Sequence, residues 1–210
     1  MNIVVCIKQV PDTAEVKINP ETNTLIRDGV ETALILKDTS GAKVTVVSMG
    51  PPQATDILKE AIAMGADDAV LISDRALAGS DTLATSVALA AAVRKVGECD
   101  LVLCGKQAID GDTAQVGPEM AEHLGIPQVT GALKVALGAD GRLLVERENE
   151  SSCQTLAVTL PAVVTVTKSE KEPRFASIKG KMKARKAEIP VMGAAELELS
   201  LIHISEPTRL

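Results

Sequence analysis

The residue types able to do chemistry gather in one stretch, Gly105-Lys106-Gln107-Ala108-Ile109-Asp110-Gly111-Asp112-Thr113-Ala114-Gln115-Val116-Gly117-Pro118. It follows an apolar run, Asp100–Cys104, and leads into a segment of helical spacing, Thr113–Leu124, so it is a strand-to-helix turn. Gly105 and Gly111 let backbone pass close to a ligand. Asp112 or Thr113 can cap the helix that follows, and the free N–H groups of a helix start suit a phosphate or pyrophosphate. Two carboxylates beside a phosphate would repel it. Asp110 or Asp112 is therefore expected to accept hydrogen bonds from ribose hydroxyls or from backbone, with Lys106 offsetting some charge. The stretch matches neither the P-loop nor the Gly-x-Gly-x-x-Gly pattern. On these residues alone a plain capped turn stays open as the alternative.

Two other groups of residues invite a chemical reading. Gly79-Ser80-Asp81-Thr82 is either a second anion-facing helix start or a simple N-cap. Lys179, Lys181, Lys183, Arg185 and Lys186 follow one another closely behind Phe175 and Ile178. That run is either a solvated loop or a docking arm for an acidic protein partner, with Phe175 and Ile178 as apolar anchors. Catalysis finds no comparable set. The histidines are His123, inside a helical segment, and His203 near the end of the chain, and no nucleophile–base constellation accompanies them. Cys6, Cys99, Cys104 and Cys153 are scattered without a Cys-x-x-Cys pair, which predicts free thiols and no metal.

These stretches must be held by a scaffold. The chain has 210 residues, 46% of them hydrophobic and 24% charged, as in an ordinary globular protein. It contains no Trp, no Tyr and one Phe, so its core is aliphatic and a planar ligand cannot be held between aromatic rings. The net charge of −6 argues against nucleic acid as a partner. No apolar run approaches the roughly 18 residues of a membrane span, and the N-terminus shows no leader pattern, so a cytoplasmic protein is expected.

Asn2–Ile7, Lys43–Ser48, Ala69–Ile72 and Asp100–Cys104 read as buried parallel strands. Gln53–Met64, Asp81–Val96 and Thr113–Leu124 read as helices, each followed by glycine. The alternation implies βαβ units, hence an α/β protein with a mostly parallel sheet and flanking helices. Gln128–Leu137, Arg142–Glu148, Thr155–Thr159 and Ala162–Thr167 alternate in polarity and predict an antiparallel hairpin or meander. The expected division is an α/β domain over 1–167, an extended partner-docking arm over 168–199 and a non-native tail over 200–210.

Several of these stretches carry a family resemblance. Val5-Cys6-Ile7-Lys8-Gln9-Val10-Pro11-Asp12, Val46-Val47-Ser48-Met49-Gly50-Pro51-Pro52, Ala63-Met64-Gly65-Ala66-Asp67, the Gly105–Pro118 block and Glu172-Pro173-Arg174-Phe175 closely resemble the beta subunit of electron-transfer flavoprotein. The resemblance runs from Met1 to about Ile189. It implies a Rossmann-like, adenine-nucleotide-binding fold and an electron carrier rather than an enzyme. It also implies pairing with an alpha subunit that carries the electron-transferring FAD, and exchange with acyl-CoA dehydrogenases or similar flavoenzymes.

Carried onto this chain, the family's pocket takes the backbone around Cys6, the strand end at Met49 and the residues from Gly105 to Val116. That pocket holds AMP in much of the family and a second FAD in members that bifurcate electrons. The run from Ser73 to Thr82, with Asp81 and Thr82 at its end, is similar to the second kind, so FAD is expected and AMP is the alternative. The arm near Ile178 corresponds to the loop that anchors partner dehydrogenases. Two departures stand out: a segment shortened after Val30, where Glu31–Asp38 follows at once as about two helical turns, and the atypical tail. The rival reading is a stand-alone adenine-nucleotide sensor of similar fold.

Overall fold

In a computed structural model that describes residues 1–10, 24–149, 152–167 and 172–200, the β-branched runs take their expected places as strands. β1 (Asn2–Ile7), β2 (Lys43–Met49), β3 (Asp68–Ile72) and β4 (Leu101–Gly105) are parallel neighbours, with β1 between β2 and β4. Around them run five α-helices among the described residues: α1 (Thr24–Ser40), α2 (Thr55–Met64), α3 (Thr82–Val96), α4 (Val116–Leu124) and α5 (Ile178–Lys186). α4 ends on Gly125 in the left-handed conformation, φ 69°, which glycine adopts without a Cβ clash.

Strand periodicity divides the core. Ile3, Val5, Leu101 and Leu103 face one layer with Leu34 of α1 and Leu58 of α2. Val4, Val47 and Val102 face the other with Leu89 and Val93 of α3 and Met120 of α4. Each fully buried aliphatic side chain contributes about 1.5–3 kcal/mol, so this core needs no aromatic ring.

The region after α4 corrects the expected meander. β6 (Leu143–Asn149) pairs antiparallel with both β5 (Gln128–Leu137) and β7 (Ser152–Val158), which keeps that part of the meander, but β8 (Ala162–Val166) lies between β4 and β5 and is parallel to both. All five β8 residues are buried, as a strand covered on both faces should be. With the two-residue β9 (Val191–Met192) on the far edge, the strand order is β7-β6-β5-β8-β4-β1-β2-β3-β9.

Helix α1 also differs from expectation. It runs through Gly29-Val30-Glu31 as one element, with Val30 in the core, rather than beginning at Glu31. The segment expected as an extended arm carries a helix, α5, and then pairs with the sheet through β9. Its composition hid this because α5 buries only Ala184 and so lacks an apolar stripe. The expected tail lies outside the described residues from position 201 onward.

Contacts at three places hold this segment down. Before the helix, Arg174 donates to both carboxylate oxygens of Glu31 and to Asp38 at 2.7–3.0 Å, and these partners raise its pKa. Within the helix, Gly180 lies against the Ala63 carbonyl of α2, and the Lys183 ammonium donates to the carbonyls of Ala66 and Asp67 at 2.9 and 3.2 Å. After it, Ala194 N–H donates to Asp74 at 3.0 Å. Arg174→Ala removes a charge-assisted pair and leaves the nearly buried Glu31 carboxylate with the backbone N–H of residue 174 in place of a cation. It should lower stability by about 2 kcal/mol, read as a fall in the urea midpoint at unchanged m-value. Adding Glu31→Gln to Arg174→Ala should recover part of the loss, because that group then carries no charge.

Candidate functional site

Ligands in open parallel sheets bind beyond the carboxyl ends of the strands. There the protein has a cavity of about 690 Å³ reaching past β3, β2, β1 and β4. Four strands at their usual spacing make it about 14 Å across. Its walls are the end of β1 from Cys6 to Lys8, the β2 turn from Met49 to Pro52, the β3 loop from Ile72 to Ser80, the start of α3, and the loop joining β4 to α4.

Of the residues singled out above, Cys6, Met49, Asp81, Thr82, Gly105, Lys106, Gln107, Ala108, Ile109, Gly111, Thr113, Ala114, Gln115 and Val116 all line this cavity. Asp110 and Asp112 do not. Nor do they make the ribose-ready or backbone-bonded arrangement expected of them. Asp110 forms an ion pair with Lys8 at 2.6 Å, tying the loop to the end of β1. Asp112 accepts from the Gln107 amide at 2.8 Å. The feared repulsion is thus met by pairing both carboxylates with protein donors.

The helix start is also displaced. α4 begins at Val116, three residues later than the spacing implied, because Asp112 and Ala114 adopt left-handed backbone, φ 47° and 54°. Neither Asp112 nor Thr113 caps it; Gln115 stands at the N-cap and makes no side-chain cap bond. Pro118 fits the first turn, where an N–H has no helical acceptor. The Val116 and Gly117 amides therefore start the helix without intrahelical partners, and both residues line the cavity. Left-handed non-glycine residues cost of order 1–3 kcal/mol each, and such strain is concentrated at ligand clamps.

Asp81 resolves to a simple N-cap, accepting from Ala84 N–H at 2.8 Å. Thr82 donates to Glu119 at 3.2 Å and Gln115 at 3.3 Å, joining the first turns of α3 and α4. Arg75 and Lys106 line the cavity without an ion pair among the described residues. With the α4 amides they supply the positive potential a phosphate or pyrophosphate needs.

Arg75, Pro51, Pro52 and Gly117 are wall residues that the site assignment above left out. The signal for Arg75 was positional: it follows the end of β3, one strand beyond β2. Gly117 is needed because a Cβ there would fall 2.5 Å from Thr165 Cγ2 of β8.

Of the residues expected to dock a partner, Phe175, Ile178, Lys179 and Lys181 are exposed, Phe175 by 79% and Ile178 by 83%. Lys183 is exposed as well, but its ammonium turns back to the carbonyls of the α2–β3 turn rather than outward. Met182, 56% exposed and one helical turn beyond Ile178, was missed and extends the apolar patch. The four cysteines are free thiols. Among the described residues no helix is long and apolar enough to cross a membrane, and no cluster of three or more His, Cys, Asp or Glu could hold a metal.

Residues 12–197 match the family described as electron transfer flavoprotein domain. The electron transfer flavoprotein subunit beta of Megasphaera elsdenii is 51% identical over 214 residues, covering 93% of this chain and 79% of that protein. The subunit of the same name from Clostridium acetobutylicum is 48% identical over 225 residues, covering all of this chain and 86% of its own. That match is longer than the chain, so the relative carries residues without a counterpart here. The caffeyl-CoA reductase-Etf complex subunit CarD of Acetobacterium woodii is 46% identical over 213 residues, covering 95% and 81%.

Proposed function

The chain belongs to the electron transfer flavoprotein family as a beta-subunit-type electron carrier, and on that premise we propose that its cavity holds FAD. AMP is the smaller alternative at the same helix start. The observation that carries FAD is the breadth of the cavity. It continues from the α4 amides past Lys106 to Arg75 and to Pro51–Pro52, farther than one adenylate phosphate requires. A bound flavin supplies the electron-accepting ring. The protein's own residues bind and orient: the α4 amides, Arg75 and Lys106 take the phosphates, and Met49, Ile109 and Pro51 present aliphatic surface to flat groups. The Lys8–Asp110 pair holds the loop at its distance from β1.

Electron transfer flavoprotein beta subunits work with an alpha subunit. Leu133, Leu137 and Leu144 stay exposed on β5 and β6, a surface separate from α5 that suits such pairing. The α5 patch of Phe175, Ile178 and Met182, bordered by Lys179 and Lys181, suits an acidic rim on an acyl-CoA dehydrogenase or similar flavoenzyme. Free thiols throughout fit a cytoplasmic location. The sensor reading has no relative behind it.

Co-expression with an alpha subunit and counting nucleotides per heterodimer tests the cavity. Two FAD are expected; one FAD with one AMP selects the alternative. An alpha-subunit FAD with no further nucleotide overturns the assignment. For the docking patch, Ile178→Ala should slow reduction by a partner dehydrogenase several-fold and leave flavin content unchanged, because the side chain is exposed and lies outside the cavity. Unaltered transfer would refute the docking role.

A further inference from the structure

Two cysteines meet in the floor of the cavity. Cys6 of β1 and Cys104 of β4 are register partners on adjacent parallel strands, so their side chains project from the same face. Both line the cavity, Cys6 half-buried and Cys104 buried. We infer that Cys6 and Cys104 form a dithiol site reached through the cavity, and that its ligand is a trivalent arsenical bridging the two sulfurs.

The geometry admits a bridging atom without moving the strands. Neighbouring strands lie about 4.8 Å apart, and register partners on one face carry their sulfurs at about that spacing. One arsenic atom between the sulfurs spans the existing gap. Protonation points the same way. The hydrogen bond with the Cys104 thiol and then burial push the Cys6 thiol well up, so it stays protonated at neutral pH. A protonated thiol is a poor nucleophile toward oxidants, but here its proton is consumed. With phenylarsine oxide, two As–S bonds replace the bonds to oxygen. The two thiol protons leave with that oxygen as one water, and no oxidation state changes.

Cys99 is not the bridging partner. Its thiol contacts the Leu101 carbonyl, and it does not line the cavity. Cys153 is exposed on β7. Either can take arsenic only through one sulfur, and an excess of monothiol strips such an adduct.

The test treats the nucleotide-free full chain with phenylarsine oxide, washes it with excess monothiol and reads intact mass. One retained adduct is expected in the wild type and in Cys153→Ser, and none in Cys6→Ser or Cys104→Ser, each checked for folding by circular dichroism. Loss of the adduct from the folded wild type overturns the site, as does its retention in folded Cys104→Ser. The cavity as the route rests on the proposed nucleotide site. Saturating FAD or AMP, with binding measured separately by dialysis, should slow adduct formation at least tenfold. An unchanged rate in a chain shown to be loaded overturns that route. Failure of the nucleotide to bind strikes the proposed ligand and leaves the dithiol readout standing.

Discussion

Gly117→Ala is expected to lower nucleotide affinity about tenfold or more and to destabilise the fold. The added Cβ would lie 2.5 Å from Thr165 Cγ2. Thr165 cannot simply turn away, because it is buried and its hydroxyl accepts the Gly131 N–H at 3.0 Å. Overpacking of this kind costs about 1–3 kcal/mol, and the compliant element is the first turn of α4, whose Val116 and Gly117 line the cavity. A tilt there spoils the proposed phosphate site as well as the packing. Equilibrium dialysis with AMP and FAD and a thermal melt read both effects. Thr165→Ser in the same chain removes the offending methyl and keeps the hydroxyl, so it should restore most of the loss. No recovery would mean that the clash is not the cause.

Gly180→Ala should cost more at the docking surface and nothing in the cavity. Intrinsic helix propensity favours alanine over glycine by about 1 kcal/mol, so on propensity alone the change would stabilise α5. The contact reverses the sign. A Cβ at Gly180 would come within 2.0 Å of the Ala63 carbonyl oxygen and 2.9 Å of its carbon, backbone atoms of a core-packed helix. Helix α5 must lift, which breaks the Lys183 contacts to Ala66 and Asp67 and displaces Ile178 and Met182. Reduction by a partner dehydrogenase should fall more than tenfold while nucleotide stoichiometry holds. Wild-type rates would show that α5 does not carry the contact.

The node beneath α5 has a defined acid limit. Burial pushes the Asp67 carboxyl up, but hydrogen bonds from the Lys37 ammonium at 2.5 Å and from Val44 N–H at 2.9 Å outweigh it and hold the group below its ordinary range. A depressed carboxyl stabilises the fold above its unfolded pKa, and that contribution is lost as pH falls through the folded one. The α1–α2 connection should therefore hold through mildly acid solution. In Asp67→Asn the acid-induced loss of stability below the usual carboxylate range should be shallower, as measured by urea titration across pH.

The parallel half of the sheet was legible because its residues report burial directly. Val4, Val5, Val46, Val47, Val102 and Leu103 are apolar on both faces, and glycine marks the helix ends. Most of the cavity wall was legible too, since the ends of parallel strands converge once their order is known. What stayed hidden depended on tertiary partners. Ala162–Val166 has the composition of a hairpin strand as much as of a central one, and only its insertion between β4 and β5 decides. Helix α5 leaves no periodic trace because a glycine, a lysine and one alanine form its inner contacts. The late start of α4 follows from two left-handed residues that are not glycine, a conformation that composition disfavours. Lys183 illustrates the same limit: in a run of cations, sequence does not say which one turns inward.

The aliphatic cavity wall has an optical consequence. With no Trp or Tyr anywhere in the chain and its one Phe exposed just ahead of α5, the polypeptide is nearly transparent in the near ultraviolet. Any band there in the purified chain belongs to what it has bound, so the spectrum itself becomes an inventory of the ligand. No indole or phenol of this chain can quench the emission of a dye held against Met49 and Ile109, and brightness then reports on the environment those side chains create.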